Sequence, residues 1–332
     1  AGEVSASELL ELYLARVERF NPELNLVVAF DRERARAEAR EIDRRRAAGE
    51  ALGPLAGLPI TIKDSYEVTG MPATCGLEHL RAHRPEADAD AVALLREAGA
   101  IIFGKTNLPA GASDWQSFNP IYGISRNPWN PERTVGGSSG GAAGAVAAGF
   151  TSFELGSDIG GSIRIPSHFC GVFGHKPTYG SVPLRGHIPP PPGMLSQPEL
   201  GVAGPIARSA DDLALLMSVL SSRDLPPPRH QDLASFRVGV WMGDGAYRVD
   251  GAYRAALEGY IEDLRRAGAS ISQVDLPVDP HVSYETYLQV LFAIVGAPAP
   301  GEADAFEALA DKDETGIAAK LARYMRTTLG EW

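Results

Sequence analysis

The sequence predicts an α/β protein built around a substantially parallel β-sheet. Apolar strands over 58–64, 100–105 and 151–156 alternate with helices over 88–98 and 140–149, and this alternation is typical of strands joined by helical crossovers. The chain has 332 residues, of which 44% are hydrophobic and 22% charged. It is therefore long enough for one large α/β domain or for two domains of ordinary size.

Local patterns predict the remaining elements in order along the chain. Ser5 and Glu8 have the spacing of a capping box, and the apolar residues that follow recur at helical intervals. Residues 31–48 predict a helix whose mixed charges indicate a solvated face. The other predictions are a polyproline-like loop over 187–193, a capped helix over 207–220, a linker over 223–230, and a strand, helix and strand over 236–241, 251–267 and 270–277.

Charge and cysteine content argue against several classes of partner. The net charge is −11 and no long basic run occurs, so we expect neither nucleic acid nor an anionic membrane surface as a partner. No apolar run reaches the ~18–20 residues that span a bilayer. The two cysteines, Cys75 and Cys170, indicate no disulfide framework. They favour a reducing compartment, and we expect a cytoplasmic protein.

Two further patterns predict structural rather than functional residues. His168, Cys170 and His175 lie close in sequence, but their spacing fits no familiar zinc site and a fourth ligand is missing. We therefore expect core or supporting residues there and no bound metal. Lys105 ends an apolar strand, and we expect it at the surface without a catalytic role.

The glycine-rich run VGGSSGGAAGAVAAG, residues 135–149, raises the question of function. Upstream, Gly99–Thr106 matches the phosphate-binding pattern G-x-x-x-x-G-K-[ST], but a helix precedes it and an apolar strand occupies the loop positions, which disfavours nucleotide binding. Gly136–Gly140 matches the G-x-S-x-G elbow of α/β-hydrolases, with Ser138 as nucleophile. A loop rather than a strand precedes this elbow, yet histidines lie downstream, so the alternative stays open.

A second glycine–serine turn lies in GSDIGGSIRIP, residues 156–166. Gly160 and Gly161 directly precede Ser162, so the backbone can approach a ligand closely. Successive N–H groups over 159–162 predict an oxyanion hole, which stabilises the charge that develops on a carbonyl oxygen under attack. Ser162 is then the candidate nucleophile. Lys63, at the end of an apolar strand, is the candidate base because burial lowers the pKa of a lysine.

Taken together, these stretches resemble the amidase signature family, whose enzymes hydrolyse carboxylic amides with a Ser–cis-Ser–Lys triad. The motifs run from about residue 5 to about residue 220. They are GLPITIKD, GKTNLP, NPIYGISRNPWNP, GGSSGGAAGAVAAG, GSDIGGSIRIP, FGHKPTYG and GPIARSADDLALL. The resemblance implies a large, mixed, mostly parallel twisted β-sheet flanked by helices.

The resemblance also implies a role for each matching residue. Ser162 corresponds to the nucleophile, Ser138 to the proton relay that follows a cis peptide bond, and Lys63 to the general base. The other correspondences are an oxyanion hole from the backbone of Ile159, Gly160, Gly161 and Ser162, a backbone contact to substrate at Ala112, a structural serine at Ser139, and a buried polar pair of Asp158 and Arg164 that shapes the nucleophile turn.

The function we expect is hydrolysis of a small-molecule amide to an acid and ammonia or an amine, without a cofactor. The alternative from the same family is a glutamine-hydrolysing subunit of a transamidation complex, although VPLRGHIPPPPG favours a stand-alone amidase. We expect the catalytic core in residues 1–222 and a continuation of the fold, or a small subdomain, in 223–332. The family usually extends further, so we expect its C-terminal part to be absent here. A homodimer is also expected.

Overall fold

The computed structural model describes residues 3–187, 199–243, 248–296, 304, 307–310, 313 and 316–326. The chain divides into two compact units, Ala1–Asp224 and Leu225–Trp332. All the candidate site residues belong to the first unit. The polyproline-like loop predicted over 187–193 lies outside the described residues except for His187. The assignment of functions to residues 1–222 and 223–332 stays a prediction.

The first unit has an α/β fold, as the sequence predicts. Its described helices are α1 (Ala6–Leu24), α2 (Arg32–Ala47), α3 (Asp90–Glu97), α4 (Gly140–Ala147), α5 (Arg164–Cys170) and α6 (Ala210–Leu220). Its described strands are β1 (Val27–Phe30), β2 (Pro59–Lys63), β3 (Ile101–Thr106), β4 (Phe118–Asn119), β5 (Gly123–Ile124), β6 (Glu154–Asp158), β7 (Phe173–Gly174) and β8 (Val202–Ala207). Helix α1 begins at the predicted capping box, in which Ser5 and Glu8 bond reciprocally.

The described strands form small mixed sheets of two or three strands. The large, mostly parallel sheet that the resemblance implies is not seen as one continuous sheet among the described residues. In the first sheet, β3 pairs in parallel with β2 and antiparallel with β1. In the second sheet, β8 pairs antiparallel with both β6 and β7. Strands β2 and β6 lie side by side. Across this junction Tyr66 donates its hydroxyl to the Gly156 carbonyl at 2.8 Å.

Strand β3 lies between two hydrophobic clusters, which explains its apolar sequence. Ile101 and Phe103 pack in a cluster with α1, α2 and α4, whereas Ile102 packs in a second cluster with α3 and α6. This alternation follows from the pleat, because successive side chains of a strand point to opposite faces. Lys63 and Lys105 stand at the carboxyl ends of β2 and β3. In open α/β sheets this end of parallel strands is where ligands bind.

The small residues of α4 allow a close approach to the neighbouring backbone. A Cβ on Gly141 would lie 2.4 Å from the Asn107 carbonyl oxygen, and one on Gly144 would lie 2.5 Å from the Leu26 side chain. The Gly141 amide donates to that Asn107 carbonyl at 3.1 Å. The run after the glycine–serine loop is therefore a packed helix, which holds the loop against the end of β3.

Strand β6 begins three residues later than the predicted 151–156. The Thr151 hydroxyl accepts a hydrogen bond from the Thr61 amide at 3.0 Å and donates to the Phe153 carbonyl at 2.7 Å. These bonds form a turn before the strand. Strand β8, which was not predicted, contains Gly204 and Pro205, residues that are more typical of a turn.

The second unit contains a β–α–β arrangement and further helices. Its described elements are β9 (Arg237–Val240), α7 (Gly251–Arg266), β10 (Ser270–Gln273), α8 (Pro280–Gly296) and α9 (Ile317–Arg326). Strands β9 and β10 pair in parallel, as a strand–helix–strand crossover requires. Helices α8 and α9 pack against each other. No helix among the described residues of the chain has the length and apolar character needed to cross a membrane.

Candidate active site

The buried ammonium group of Lys63 lies among three serine hydroxyls. Lys63 is the last residue of β2, Ser138 and Ser139 precede α4, and Ser157 lies on β6. The Lys63 Nζ lies 2.7 Å from Ser138 Oγ, 3.1 Å from Ser139 Oγ and 2.9 Å from Ser157 Oγ. Three elements distant in sequence therefore place their polar side chains around one nitrogen.

The environment of Lys63 lowers the pKa of its amine, which raises the neutral fraction near neutral pH. The side chain is completely buried. Burial lowers the pKa of Lys63 to about 8, against the opposing influence of the Cys75, Asp158 and Glu154 groups nearby. A lysine amine of this kind keeps a neutral fraction near neutral pH, which an arginine guanidinium cannot do. Lys63 is therefore chemically suited to accept a proton.

The glycine–serine loop needs glycine at two consecutive positions. The peptide bond between Gly137 and Ser138 is cis. A Cβ on Gly137 would lie 2.6 Å from the Asp114 carbonyl oxygen, and one on Gly136 would lie 2.8 Å from Pro166 Cα. Gly136 also has a φ of +82°, which side chains rarely adopt. These close approaches place Ser138 beside Lys63.

Ser139 ties the loop to the second serine turn. Its amide donates to the Ser162 carbonyl at 3.1 Å. Its hydroxyl donates to the Ser157 carbonyl at 3.2 Å, so the same oxygen is an acceptor for Lys63. The structure thus brings Ser138, Ser139 and Ser162 into one region, with Ser139 between the two turns.

Asp158 organises the turn that carries Ser162. Its carboxylate accepts from the amides of Gly161 at 2.9 Å and Ile163 at 3.0 Å, and it pairs with Arg164 at 2.8 Å. The prediction of a buried pair is wrong for Arg164, whose side chain is 55% exposed, because its guanidinium reaches the buried carboxylate from the surface. Burial opposes the ionisation of this carboxyl group, but the guanidinium and the amides outweigh it and lower the pKa of Asp158. Gly161 has a φ of +107°, so the turn depends on a residue without a side chain.

Ser162 and the neighbouring backbone lie at the edge of this cluster. Ser162 is 5% exposed, whereas Ile159 and Gly160 are half-buried. The Trp115 indole, which is 60% exposed, donates from Nε1 to the Gly160 carbonyl at 3.1 Å. Ala112 is half-buried and has a φ of +56°, which is unusual for a residue other than glycine. This edge is where solvent meets the serine turn.

Comparisons with known proteins show the family of this chain. The sequence profile of the family described as Amidase matches residues 8–331. The chain belongs to the amidase family. Two relatives are each named as one of the subunits of glutamyl-tRNA(Gln) amidotransferase: the Carboxydothermus hydrogenoformans protein is 38% identical over 88% of this chain, and the Roseiflexus castenholzii protein is 38% identical over 86%. The chain spans 61% and 60% of their lengths.

Solved structures of amidases resemble the whole chain. A crystal structure described only as an amidase has a TM-score of 0.80 and 34% identity, covering 99% of this chain and 72% of that one. The peptide amidase of Stenotrophomonas maltophilia has a TM-score of 0.79 and 29% identity, covering 98% of this chain and 73% of that one. The fold of this chain is therefore that of these two solved structures.

A second buried lysine, Lys105, corrects one expectation. The prediction that Lys105 lies at the surface is wrong, because its side chain is completely buried. Its ammonium group donates to the Tyr66 carbonyl at 2.6 Å and the Pro72 carbonyl at 3.0 Å, and it lies 3.6 Å from the buried carboxylate of Asp64. Lys105 thus holds the segment after β2 in place, and the phosphate-binding pattern around it forms strand β3.

Two polar residues of the site were not predicted from the sequence, Ser157 as a partner of Lys63 and His187 as a partner of Ser157. His187 Nε2 lies 2.8 Å from Ser157 Oγ, and its ring lies against that of Tyr66 with centroids 4.6 Å apart. Burial and the nearby charge of Lys63 lower the pKa of His187 well below its usual value. No local motif marks this histidine, because it reaches the site only through the fold.

The expectation of core residues at His168, Cys170 and His175 holds for Cys170 and is wrong for the two histidines, which are exposed. Cys170 is buried, and its thiol lies 3.4 Å from the Val135 carbonyl. No group of three or more potential ligands among His, Cys, Asp and Glu lies close enough to hold a metal ion in the described part of the chain.

Proposed function

We propose that this protein hydrolyses amides through an acyl-enzyme on Ser162, with Ser138 as the proton relay and Lys63 as the general base. The observation that carries the proposal is the 2.7 Å hydrogen bond between the buried Lys63 amine and the Ser138 hydroxyl. A serine hydroxyl is a weak nucleophile until a base takes its proton. Lys63, with its lowered pKa, supplies that base.

The reaction begins with two coupled proton transfers. Neutral Lys63 takes the proton of Ser138, Ser138 takes that of Ser162, and the Ser162 oxygen attacks the carbonyl carbon of the amide. When the carbon–nitrogen bond breaks, the proton returns through Ser138 to the leaving nitrogen. Water then attacks the ester by the same route, which releases the acid and restores Ser162. This is a serine–lysine version of triad catalysis.

We assign the oxyanion hole to the backbone between Ile159 and Ser162. Within this stretch the Gly161 amide already donates to Asp158, so Gly161 shapes the turn. We assign the oxyanion donors to the backbone of Ile159, Gly160 and Ser162, which flanks this turn residue. Fixed donors of this kind stabilise the transition state because they need no reorganisation during the reaction. Ala112 and Trp115 are proposed to border the substrate.

The alternative in which Ser138 is the nucleophile of an α/β-hydrolase has less support. That elbow requires a strand that enters the turn directly, whereas β5 ends at Ile124 and the described residues before Gly136 form loops and turns. Ser138 also bonds to a lysine rather than to a histidine. The 38% identity to amidotransferase subunits favours a second candidate instead, the hydrolysis of glutamine within a complex.

The proposal is tested by incubating the purified protein with primary aliphatic, aryl and peptide amides and with free glutamine. The release of ammonia or amine is measured for each compound. We expect hydrolysis of at least one amide by the wild type and none by Ser162→Ala. Ser218→Ala, a change at an exposed hydroxyl of α6, serves as the control and should keep full activity. Release of ammonia from glutamine alone would favour the amidotransferase candidate. Activity that survives in Ser162→Ala would refute the acyl-enzyme.

A further inference from the structure

The hydrogen-bond chain from Lys63 through Ser157 to His187 has no part in the steps above. Lys63 Nζ lies 2.9 Å from Ser157 Oγ, which in turn lies 2.8 Å from His187 Nε2. Both serine and lysine are buried, and the histidine is half-buried against Tyr66. Buried polar groups need hydrogen-bond partners, so the orientation of one hydroxyl hydrogen in this chain limits the orientation of the next.

The neutral amine of Lys63 has two hydrogens and one lone pair, yet it faces three hydroxyls. For the relay to work, the lone pair must face the Ser138 hydroxyl, and the two hydrogens must go to Ser139 and Ser157. Ser139 satisfies this condition because its own hydrogen goes to the Ser157 carbonyl. Ser157 satisfies it only if its hydrogen also has another acceptor. A hydroxyl has one hydrogen, so a serine that donates elsewhere can only accept from the amine.

His187 is placed to be that acceptor. A neutral imidazole has one nitrogen that donates and one that accepts. Burial and the proximity of Lys63 keep the ring neutral by lowering its pKa. With the ring proton on Nδ1, Nε2 accepts the Ser157 hydrogen, and Ser157 offers only lone pairs to Lys63. If Nε2 carried the ring proton instead, the Ser157 hydrogen would turn toward Lys63 and compete with the Ser138 hydrogen for the lone pair of the amine.

We propose that His187 is a positioning residue that holds the Ser157 hydroxyl hydrogen away from Lys63, so that the lysine lone pair is directed to Ser138. The inference rests on the proposed function, since it explains which of three serines acts as the relay. When Lys63 is protonated, its three N–H groups match three accepting hydroxyls. Loss of one proton then frees the lone pair toward Ser138, because the other two hydroxyls are already engaged as donors elsewhere.

The test measures how fast an alkyl fluorophosphonate acylates the full chain, with the maximal rate (kinact) separated from the affinity (KI). His187→Phe keeps a ring against Tyr66 but removes the accepting nitrogen, and we expect kinact to fall about tenfold, the effect of one misdirected hydrogen bond. KI should stay unchanged because His187 acts through Ser157. His187→Gln presents a carbonyl oxygen near the Nε2 position and should recover most of the rate.

A double-mutant comparison separates positioning from a general structural effect. Once Ser157→Ala has removed the hydroxyl, His187→Phe should cause no further loss, because the two residues act as one unit. His83→Phe, at another half-buried histidine, is the matched control and should acylate like the wild type. Thermal denaturation of each variant reports any loss of the folded state.

The outcomes distinguish the inference from the proposed function. Slower acylation in His187→Phe, rescue by His187→Gln and no added loss beside Ser157→Ala would support the inference. The inference is overturned, and the proposed function stands, if the wild type is acylated on Ser162 but His187→Phe keeps the full acylation rate or changes only KI. The same holds if His187→Phe lowers kinact as much in the Ser157→Ala background as in the wild type. If the folded wild type is not acylated at all, both are overturned.

Discussion

Raising the pH from 7 to 9 should increase the rate of Ser162 acylation about tenfold, because the base must be neutral to act. The magnitude follows from the pKa of Lys63, which burial lowers to about 8. With that value, roughly one-tenth of the amine is neutral at pH 7 and roughly nine-tenths at pH 9. The rate should therefore rise through pH 8 and level off above it.

The assay is the rate of fluorophosphonate acylation between pH 6 and pH 10, corrected for hydrolysis of the probe. Lys63→Arg is the matched variant, since arginine stays protonated over this range. It should be slower by on the order of 10²–10⁴ and show no limb near pH 8. The assignment of Lys63 as the base would be refuted if the acylation rate of the wild type did not change with pH. It would also be refuted if the rate rose near the ordinary pKa of histidine or of an exposed lysine.

Other predictions follow from single contacts. Ser138→Ala should retain the fold but slow acylation by on the order of 10²–10⁴, because Lys63 loses its link to Ser162; stopped-flow labelling measures this, and an unchanged rate would exclude a relay. Lys105→Met should lower the free energy of unfolding in urea by ~3–5 kcal/mol, since it leaves the Asp64 carboxylate buried without its cation; an unchanged midpoint would contradict the pairing. Burial raises the pKa of the Cys75 and Cys170 thiols to about 12, so iodoacetamide at pH 8 should alkylate them in urea but not in the native protein; mass spectrometry decides.

The motifs predicted the site residues that are close together in sequence. Ser138 and Ser139 occupy one loop, Asp158 and Arg164 form one turn, and the packing of α4 explains why small residues follow the loop. Local patterns suffice there because each motif encodes its own backbone geometry. The distance between Lys63 and Ser138, by contrast, depends on how β2 and α4 meet.

Other long-range contacts have no local pattern in the sequence that predicts them. Lys105 has the local pattern of a strand end, and only the fold shows that the carbonyls of Tyr66 and Pro72 cover it. His187 reaches Ser157 from thirty residues away in the chain. Strand β8 was missed for a different reason, since its glycine and proline are typical of turns although its pairing with β6 makes it a central strand.

The central claim is that Ser162, rather than Ser138, forms the covalent bond with the substrate. Mass spectrometry of the fluorophosphonate-treated protein, after proteolysis, identifies the modified serine directly. We predict one adduct, on Ser162, that is strongly reduced in Lys63→Arg and absent in Ser162→Ala. An adduct on Ser138, or an unmodified folded protein, would contradict the mechanism.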